Sequence, residues 1–191
     1  ESRAAALRGD FDRIRAAEPG ARIRAIADRL AVPELALVAA GCGGIRARRL
    51  KEPAQDILKA LGGLGRVMAL TRNAWAVHER HGRYEDVRAG KSMGIVLGPD
   101  IDLRLFFAQW HAGFAVTELA NDPAKPPSRS LQFFNAQGRA VHKIFTRDAT
   151  DLAAFDAVVS RFVQPSAGYV FGPEPAPLAV LPDADIDAEG L

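Results

Sequence analysis

The sequence predicts an α+β fold: an N-terminal helical cap packed on a large antiparallel β-meander sheet, followed by a C-terminal helix and an extended linker. Three observations support this prediction. Apolar residues recur with helical spacing over residues 1–63, and they alternate with polar residues over much of 64–163. Residues 164–191 are rich in proline and acidic side chains. We therefore divide the chain into a cap, a sheet with its closing helix, and a linker.

The composition is that of an ordinary globular domain. The 191 residues are 48% hydrophobic and 25% charged, so a core can form without disulfide bonds. The single cysteine, Cys42, has no partner for an internal disulfide, which favours a reducing compartment and hence the cytoplasm. No apolar run reaches the roughly 18–20 residues that a membrane-spanning helix needs. The net charge of +2 is too small to indicate nucleic-acid binding by itself.

Four helices are predicted in the cap from the spacing of its apolar residues. The first ends at Pro19, where proline and the following glycine interrupt the pattern. The second and third cover residues 23–30 and 35–39. The fourth begins at Pro53 and ends before Gly62, because proline suits the first turn of a helix and glycine suits its end.

In the middle region the apolar period changes from that of a helix to that of a strand. Residues 101–107 alternate, which predicts a strand with one face in the core and the other face available for contacts. Residues 130–134 and 139–145 are joined by a four-residue loop and predict a hairpin. Thr150 is expected to cap a closing helix. The apolar residues that share one face of this helix are Leu152, Phe155, Val158, Val159 and Phe162.

Residues 164–191 are predicted to form an extended linker. They contain five of the 12 prolines, five acidic residues and no basic residue. Residues 183–191 have the acidic character of a helix start. We interpret this segment as a connection towards further chain beyond Leu191, and a natural unstructured tail is the alternative.

Four histidines are the candidate metal ligands of this chain. None of them belongs to an HExxH motif and there is no CxxC motif, so the pattern does not favour zinc. His78 lies three residues after Trp75, and a neutral imidazole near an aromatic ring suits the iron of a haem group. The alternative for His78 is a surface histidine of a strand. His111 is a weaker candidate of the same kind, and His142 is expected to face solvent from a hairpin strand.

Arg104 is the candidate anion-binding residue of the alternating strand. It follows Asp102 by two residues, so both side chains lie on one face of the strand. A guanidinium there can bind a carboxylate or a propionate through two hydrogen bonds, whereas the alternative is a surface Asp–Arg pair. The chain has no GxGxxG, P-loop or GxSxG motif, and no catalytic residue is assigned.

A second functional hypothesis comes from residues 22–35, which have the rhythm of a helix-turn-helix. Arg22, Arg24 and Arg29 could contact phosphates. The second helix of the pair, however, has no Arg, Lys, Asn or Gln to read bases, so sequence-specific nucleic-acid binding is not favoured. The alternative function is therefore a DNA- or partner-binding head on a non-catalytic scaffold repeat.

Six strings of the sequence, taken in order, resemble the haemin-degrading factor family, the HemS-like cytoplasmic haem-utilisation proteins. They cover residues 67–73, 76–79, 93–97, 100–104, 110–115 and 130–134. The resemblance extends over about residues 10–163. It implies a protein of two similar tandem repeats, with haem in a cleft between them as ligand or substrate. This chain would then be the N-terminal repeat, used in haem-iron acquisition.

The resemblance also implies roles for individual residues and partners. It places Arg104 on the distal side of the haem and makes His78 a candidate axial ligand of the iron when this half binds haem alone. The family's usual proximal histidine belongs to the second repeat and is absent here. The implied partners are haem, the second repeat of the same chain, and a haem transporter or a haem oxygenase, and the isolated half could form a homodimer. The sequence does not separate a haem carrier from a haem-degrading enzyme.

Overall fold

The computed structural model describes residues 3–51, 54–73, 75–120, 124–165 and 172, and it confirms the predicted α+β fold. Most of the predicted linker, including its acidic end, lies outside the described residues. No described helix has both the length and the apolar character needed to cross a membrane.

The helices lie close to their predicted positions. They are α1 (Arg3–Ala17), α2 (Ile23–Arg29), α3 (Glu34–Ala39), α4 (Ala54–Lys59) and α5 (Leu152–Phe162). The fourth predicted helix changes to a 3₁₀-helix over Ala60–Leu64, so its α-helical part is shorter than expected.

The start of α5 differs from the prediction. Its N-cap is Asp151, whose carboxylate accepts a hydrogen bond from the Ala154 N–H at 2.9 Å, and the prediction that Thr150 caps this helix is wrong. Thr150 is instead buried at the end of the preceding strand. Four of the five predicted apolar residues of α5 are buried, whereas Leu152 is 47% exposed.

Nine strands form two antiparallel sheets among the described residues. The larger sheet has six strands in the order β1-β7-β8-β9-β2-β3, and the smaller sheet has the order β4-β5-β6. The strands are β1 (Arg46–Leu50), β2 (Gly65–Arg72), β3 (Val77–Gly82), β4 (Arg88–Ala89), β5 (Met93–Leu97), β6 (Asp102–Phe106), β7 (Ala112–Glu118), β8 (Ser128–Phe134) and β9 (Ala140–Thr150).

Two features of this topology differ from the expectation of one meander. The strand over 101–107 belongs to the smaller sheet, and only β7, β8 and β9 form a continuous meander in the larger one. Strand β1 lies inside residues 1–63, which the sequence predicts as helical, and it pairs with β7 along its whole length. Three of its five residues are arginines, so it lacks the apolar alternation by which strands are recognised.

The six-stranded sheet is buried on both faces. On the face towards α1–α3, which we call the cap face, Leu35 and Val38 pack with Phe114, Val116 and Phe134. On the opposite face, which we call the core face, the larger core cluster unites the sheet with α4, α5 and the small sheet. Its members include Val67, Leu131 and Ile144 from the large sheet, Val96, Leu103 and Leu105 from the small sheet, and Phe155 and Val159 from α5. Burial of each such side chain contributes about 1.5–3 kcal/mol.

A buried ion pair fastens the cap to the cap face. Lys143 on β9 donates a hydrogen bond to Oε1 of Glu34, the first residue of α3, and the side chains are only 9% and 4% exposed. The second carboxylate oxygen of Glu34, Oε2, has no hydrogen-bond partner among the described residues. Because a buried charge without its partner is strongly unfavourable, each residue makes the other necessary.

Replacement of Lys143 by methionine is therefore expected to lower the free energy of unfolding by about 3–5 kcal/mol, because it leaves the buried Glu34 carboxylate without its partner. The double variant Glu34→Leu/Lys143→Met should recover most of that loss. Urea unfolding measures both. The matched control is Lys59→Met, since Lys59 pairs with Asp56 at 3.8 Å while 52% exposed, and it should change stability by less than about 1 kcal/mol. Equal losses for Lys143→Met and Lys59→Met would contradict the assignment.

Candidate functional site

The outward face of the small sheet is the candidate binding surface. Along β5 and β6 the buried residues Val96, Leu103 and Leu105 point into the core, so their neighbours point outwards. The register pairs the outward residues directly across the two strands, Met93 with Phe106, Ile95 with Arg104, and Leu97 with Asp102. We call these six side chains the Arg104 face.

The Arg104 face is mostly apolar and exposed. Phe106 is 61% exposed, and Leu97 and Met93 are 38% and 37% exposed, values that are high for large apolar side chains. Arg104 lies among them, half-exposed, and forms an ion pair with Asp102. Behind this face the packing is tight, since a Cβ on Gly94 would lie 2.6 Å from Leu58 Cδ2. The face is therefore an open surface on a firm support, suited to a flat apolar group that carries a carboxylate.

His78 lies on a different element from Arg104. It belongs to β3, the edge strand of the large sheet, and it is exposed. The turn before β3 is held by Asn73, whose side-chain oxygen accepts hydrogen bonds from the N–H groups of Trp75 and Ala76, each at 2.8 Å. This turn presents Trp75 with 92% of its surface exposed. An accessible imidazole and an accessible indole thus occupy the same hairpin end of the sheet.

His111 is also exposed, directly before β7, and its N–H donates to the Phe134 carbonyl oxygen at 2.8 Å. Arg104, His78 and His111 thus lie on three separate elements. In the described part of the chain no three His, Cys, Asp or Glu side chains cluster as they would around a metal ion.

His142 is buried, and the expectation that it faces solvent is wrong. It lies on the core face of β9, with the same parity as Ile144, and it is 0% exposed. Its ring stacks on Trp110 with centroids 5.4 Å apart. Burial lowers the pKa of His142 from its usual value near 6.5 to about 3, so the imidazole is neutral.

Two hydroxyl groups complete the environment of His142. Tyr84 Oη lies 2.7 Å from its Nε2, and Thr71 Oγ1 lies 2.9 Å from its Nδ1. A neutral imidazole has one N–H, so one hydroxyl donates to the bare nitrogen and the other accepts. Burial raises the pKa of Tyr84, which stays protonated. Thr71 also pairs with His78 across β2 and β3, so one row of the sheet leads from the buried imidazole to the exposed one.

Sequence reasoning missed Tyr84, Thr71 and Trp110 as partners of His142. The burial of His142 could have been predicted in part from the alternation of the strand, because His142 and the apolar Ile144 are two residues apart and must share a face. The positions of Tyr84 and Trp110 depend on loops between strands, which no local pattern specifies.

The packing of α3 disfavours the helix-turn-helix hypothesis. Helix α3 buries Leu35, Leu37 and Val38 against the rest of the protein, so it is not free to enter a DNA groove. Arg29 at the end of α2 forms hydrogen bonds with both carboxylate oxygens of Glu18. The structure thus provides no reading helix in this segment.

Comparison with known proteins identifies the family. A family model described as the haemin-degrading HemS.ChuX domain matches residues 31–162, more than half of the chain. The chain belongs to this family. It is 36% identical over 190 residues to the hemin transport protein HmuS of Yersinia pestis, covering 97% of this chain and 54% of that protein. It is also 42% identical over 118 residues to the hemin transport protein HemS of Yersinia enterocolitica, covering 61% and 33%.

Solved structures agree with this assignment. Holo-PhuS, a heme-binding protein from Pseudomonas aeruginosa, superposes with a TM-score of 0.88 at 42% identity, covering 99% of this chain and 55% of that one. The heme-degrading enzyme ChuS from Escherichia coli O157:H7 gives 0.81 at 29% identity, covering 90% and 51%. A ChuX structure, at 15% identity and a TM-score of 0.58, shares the fold and is covered over 94% of its length. The chain thus spans about half the length, or less, of the curated relatives.

The buried imidazole generates a prediction about pH. In the unfolded chain His142 takes up a proton below about pH 6.5, whereas the folded protein excludes it down to about pH 3, so stability must fall as the pH falls through this window. From about pH 7 to about pH 5 this one group should cost about 2 kcal/mol. His142→Gln is expected to remove that component of the pH dependence in urea unfolding, and His81→Gln, which alters an exposed histidine, should retain it. Parallel profiles for His142→Gln and the wild type would disprove the assignment.

Proposed function

We propose that this chain is the haem-binding N-terminal repeat of a cytoplasmic protein that traffics haem or degrades it to release iron. Its membership of the HemS.ChuX family supports the proposal. So do the relatives, which are described as hemin transport proteins, a heme-binding protein and a heme-degrading enzyme. Haem would be the ligand or the substrate of the complete protein.

The observation that carries the proposal is the Arg104 face. Haem is a large, flat, apolar ring with two propionate groups, and such ligands bind where apolar side chains surround a few placed polar groups. Burial of Met93, Leu97 and Phe106 against a ring would remove exposed apolar surface from water, at about 25 cal/mol per Å². The Arg104 guanidinium carries five N–H donors, so it can donate hydrogen bonds on the distal side of the ring.

The ion pair between Arg104 and Asp102 does not prevent this role. Both side chains are about half-exposed or more, and such surface pairs contribute only about 0–1 kcal/mol. A bound carboxylate or a polar distal group can therefore recruit the guanidinium at low cost. Haem would supply redox-active iron, while the chain's own residues hold the ring, exclude water from it and donate hydrogen bonds.

For the iron ligand we propose His78 when this repeat binds haem alone, with His111 as the second candidate. Both are exposed and need no rearrangement of the core. His78 has the additional support of Trp75, an exposed aromatic ring at the same hairpin end. His78 and Arg104 lie on different sheets. The His78 assignment concerns only the isolated repeat, whereas the Arg104 face is proposed to contact haem both in the isolated repeat and in the complete protein.

The partners of the complete protein are also part of the proposal. The curated relatives are longer than this chain, which supports a second repeat that follows it and closes over the Arg104 face. An isolated repeat would instead pair with a second copy of itself. A haem transporter would deliver the cargo, or a haem oxygenase would receive it.

Haemin titration tests the proposal. The wild-type chain is expected to shift the Soret band with saturation near one equivalent, and an unchanged spectrum would refute direct haem binding. Addition of ascorbate to the complex then separates the two roles, because a degrading enzyme loses the Soret band to an open tetrapyrrole and a carrier retains it.

Arg104→Ala should weaken haemin binding about tenfold, as expected for the loss of a charge-assisted hydrogen bond, and should alter the distal-ligand bands without changing the circular dichroism. Arg13→Ala is the control, since Arg13 is an exposed arginine of α1 that pairs with Asp10, on the side of the large sheet opposite the small sheet. If both variants bind haemin as the wild type does, Arg104 has no role in binding.

His78→Ala is expected to remove the spectrum of a histidine-ligated iron from the isolated repeat, because the imidazole nitrogen is lost as a ligand. His81→Ala on the same strand is the control and should keep that spectrum. A wild-type Soret band in His78→Ala would exclude His78, and His111→Ala would then be the variant expected to lose it.

A further inference from the structure

A cavity lies between the helical cap and the cap face of the large sheet, on the side opposite the small sheet. Its volume is about 470 Å³. Phe11 and Ile23 line it from the cap, and Leu70 and Phe145 line it from strands β2 and β9. None of the six residues of the Arg104 face contributes to it. The haem proposal therefore does not account for this cavity.

The cavity is rich in cationic side chains. Five basic residues line it against three acidic ones. The basic residues are Arg15, Arg22, Arg24, Arg72 and Lys143, and the acidic residues are Asp12, Glu34 and Glu118. Lys143 and Glu34 neutralise each other in their buried pair, which leaves four arginines and two carboxylates. Chiefly through burial, the pKa of Glu118 is raised, which favours its neutral form and increases the excess of positive charge.

Three of these arginines influence one another electrostatically. Arg22, Arg24 and Arg72 all line the cavity. Burial and then the charge of Arg24 lower the pKa of Arg72, with Arg22 acting in the same direction and Glu34 and Asp28 acting against them. Nε of Arg24 lies 3.8 Å from Oδ2 of Asp28, a long distance for an ion pair. An anion in the cavity would relieve the mutual repulsion of these guanidinium groups.

Buried polar atoms without partners line the same cavity. Nε of Arg72, Nε of Arg15 and Oε2 of Glu34 are all buried, and none of them has a hydrogen-bond partner within the part of the chain that the structure describes. Glu34 is only 4% exposed and is one of the residues that line the cavity, so its side chain is held in place beside it. Buried polar atoms are normally satisfied, and a group of unsatisfied atoms around one cavity indicates a missing polar occupant.

We propose that the cavity between the cap and the sheet binds a small organic anion, a carboxylate or phosphate attached to an apolar ring or chain. Arg72 and Arg24 bind the anionic group, and Phe11, Leu70 and Phe145 contact the apolar part. The site lies on the opposite face of the six-stranded sheet from the small sheet, so it is separate from the proposed haem surface and does not depend on it.

The test uses 2-naphthoate as the probe and neutral 2-naphthamide as its matched control. Calorimetry measures the affinity for each probe, and NMR of the arginine Nε–Hε groups locates the binding site. The wild-type chain is expected to bind 2-naphthoate with a Kd at or below about 1 mM and 2-naphthamide at least about tenfold more weakly. Shifts in the Nε–Hε signals of Arg72 and Arg24 should accompany binding. Equal affinity for the two probes, or no binding of 2-naphthoate, would overturn the proposal.

Arg72→Met should weaken 2-naphthoate binding by about tenfold or more, and Arg72→Lys should restore part of it. Arg13→Ala, which removes an exposed arginine of α1 that pairs with Asp10, should bind as the wild type does. If Arg72→Met fails to fold, Arg24→Gln replaces it with the same expected loss. Wild-type affinity in the folded Arg72 or Arg24 variant, or displacement of 2-naphthoate by haemin, would contradict a separate anion site.

Discussion

Two consecutive residues of strand β9 hold the three layers of this protein together. Because neighbouring side chains of a strand point to opposite faces, His142 enters the core face and Lys143 enters the cap face. Both faces are buried, so each polar group requires hydrogen-bond partners, and at least one partner comes from the layer that covers it. Tyr84 and Thr71 satisfy His142, and Glu34 satisfies Lys143. The position of each layer on the sheet is thus specified by a polar contact as well as by apolar packing.

The contact between Tyr84 and His142 matters for the candidate haem surface. Tyr84 belongs to the connection that leaves the large sheet after β3 and leads into β4, the first strand of the small sheet. Its anchoring fixes where the small sheet begins, and the core residues Val96, Leu103 and Leu105 fix which of its faces points inwards. The outward position of Arg104 and Phe106 follows from these two constraints. The site is therefore a consequence of core packing, although none of its own side chains is buried.

Local sequence patterns predicted the helices and strands of this fold better than they predicted which strands lie next to one another in the sheets. The alternation over 101–107 correctly indicated a strand with one face in the core, because burial imposes a period of two. It could not indicate that this strand joins a separate sheet, since pairing partners are distant in sequence. His142 was misjudged because a polar residue in a hairpin normally faces solvent, and only the fold shows that β9 is central. The family resemblance supplied the Arg104 assignment, which spacing alone left equal to a surface ion pair.

Two ion pairs of this protein, one buried and one exposed, illustrate why its stability and its proposed binding function can be separated. The pair of Lys143 and Glu34 is buried. Replacement of one partner therefore leaves the charge of the other partner unpaired and out of contact with water. The pair of Arg104 and Asp102 is exposed, and water replaces either partner with little change in free energy. A guanidinium that is already paired with a carboxylate must exchange that partner to bind a ligand, and the exposed arrangement permits this at low cost. The buried pair of Lys143 and Glu34 thus stabilises the contact between layers, whereas the exposed pair of Arg104 and Asp102 leaves Arg104 able to change partners.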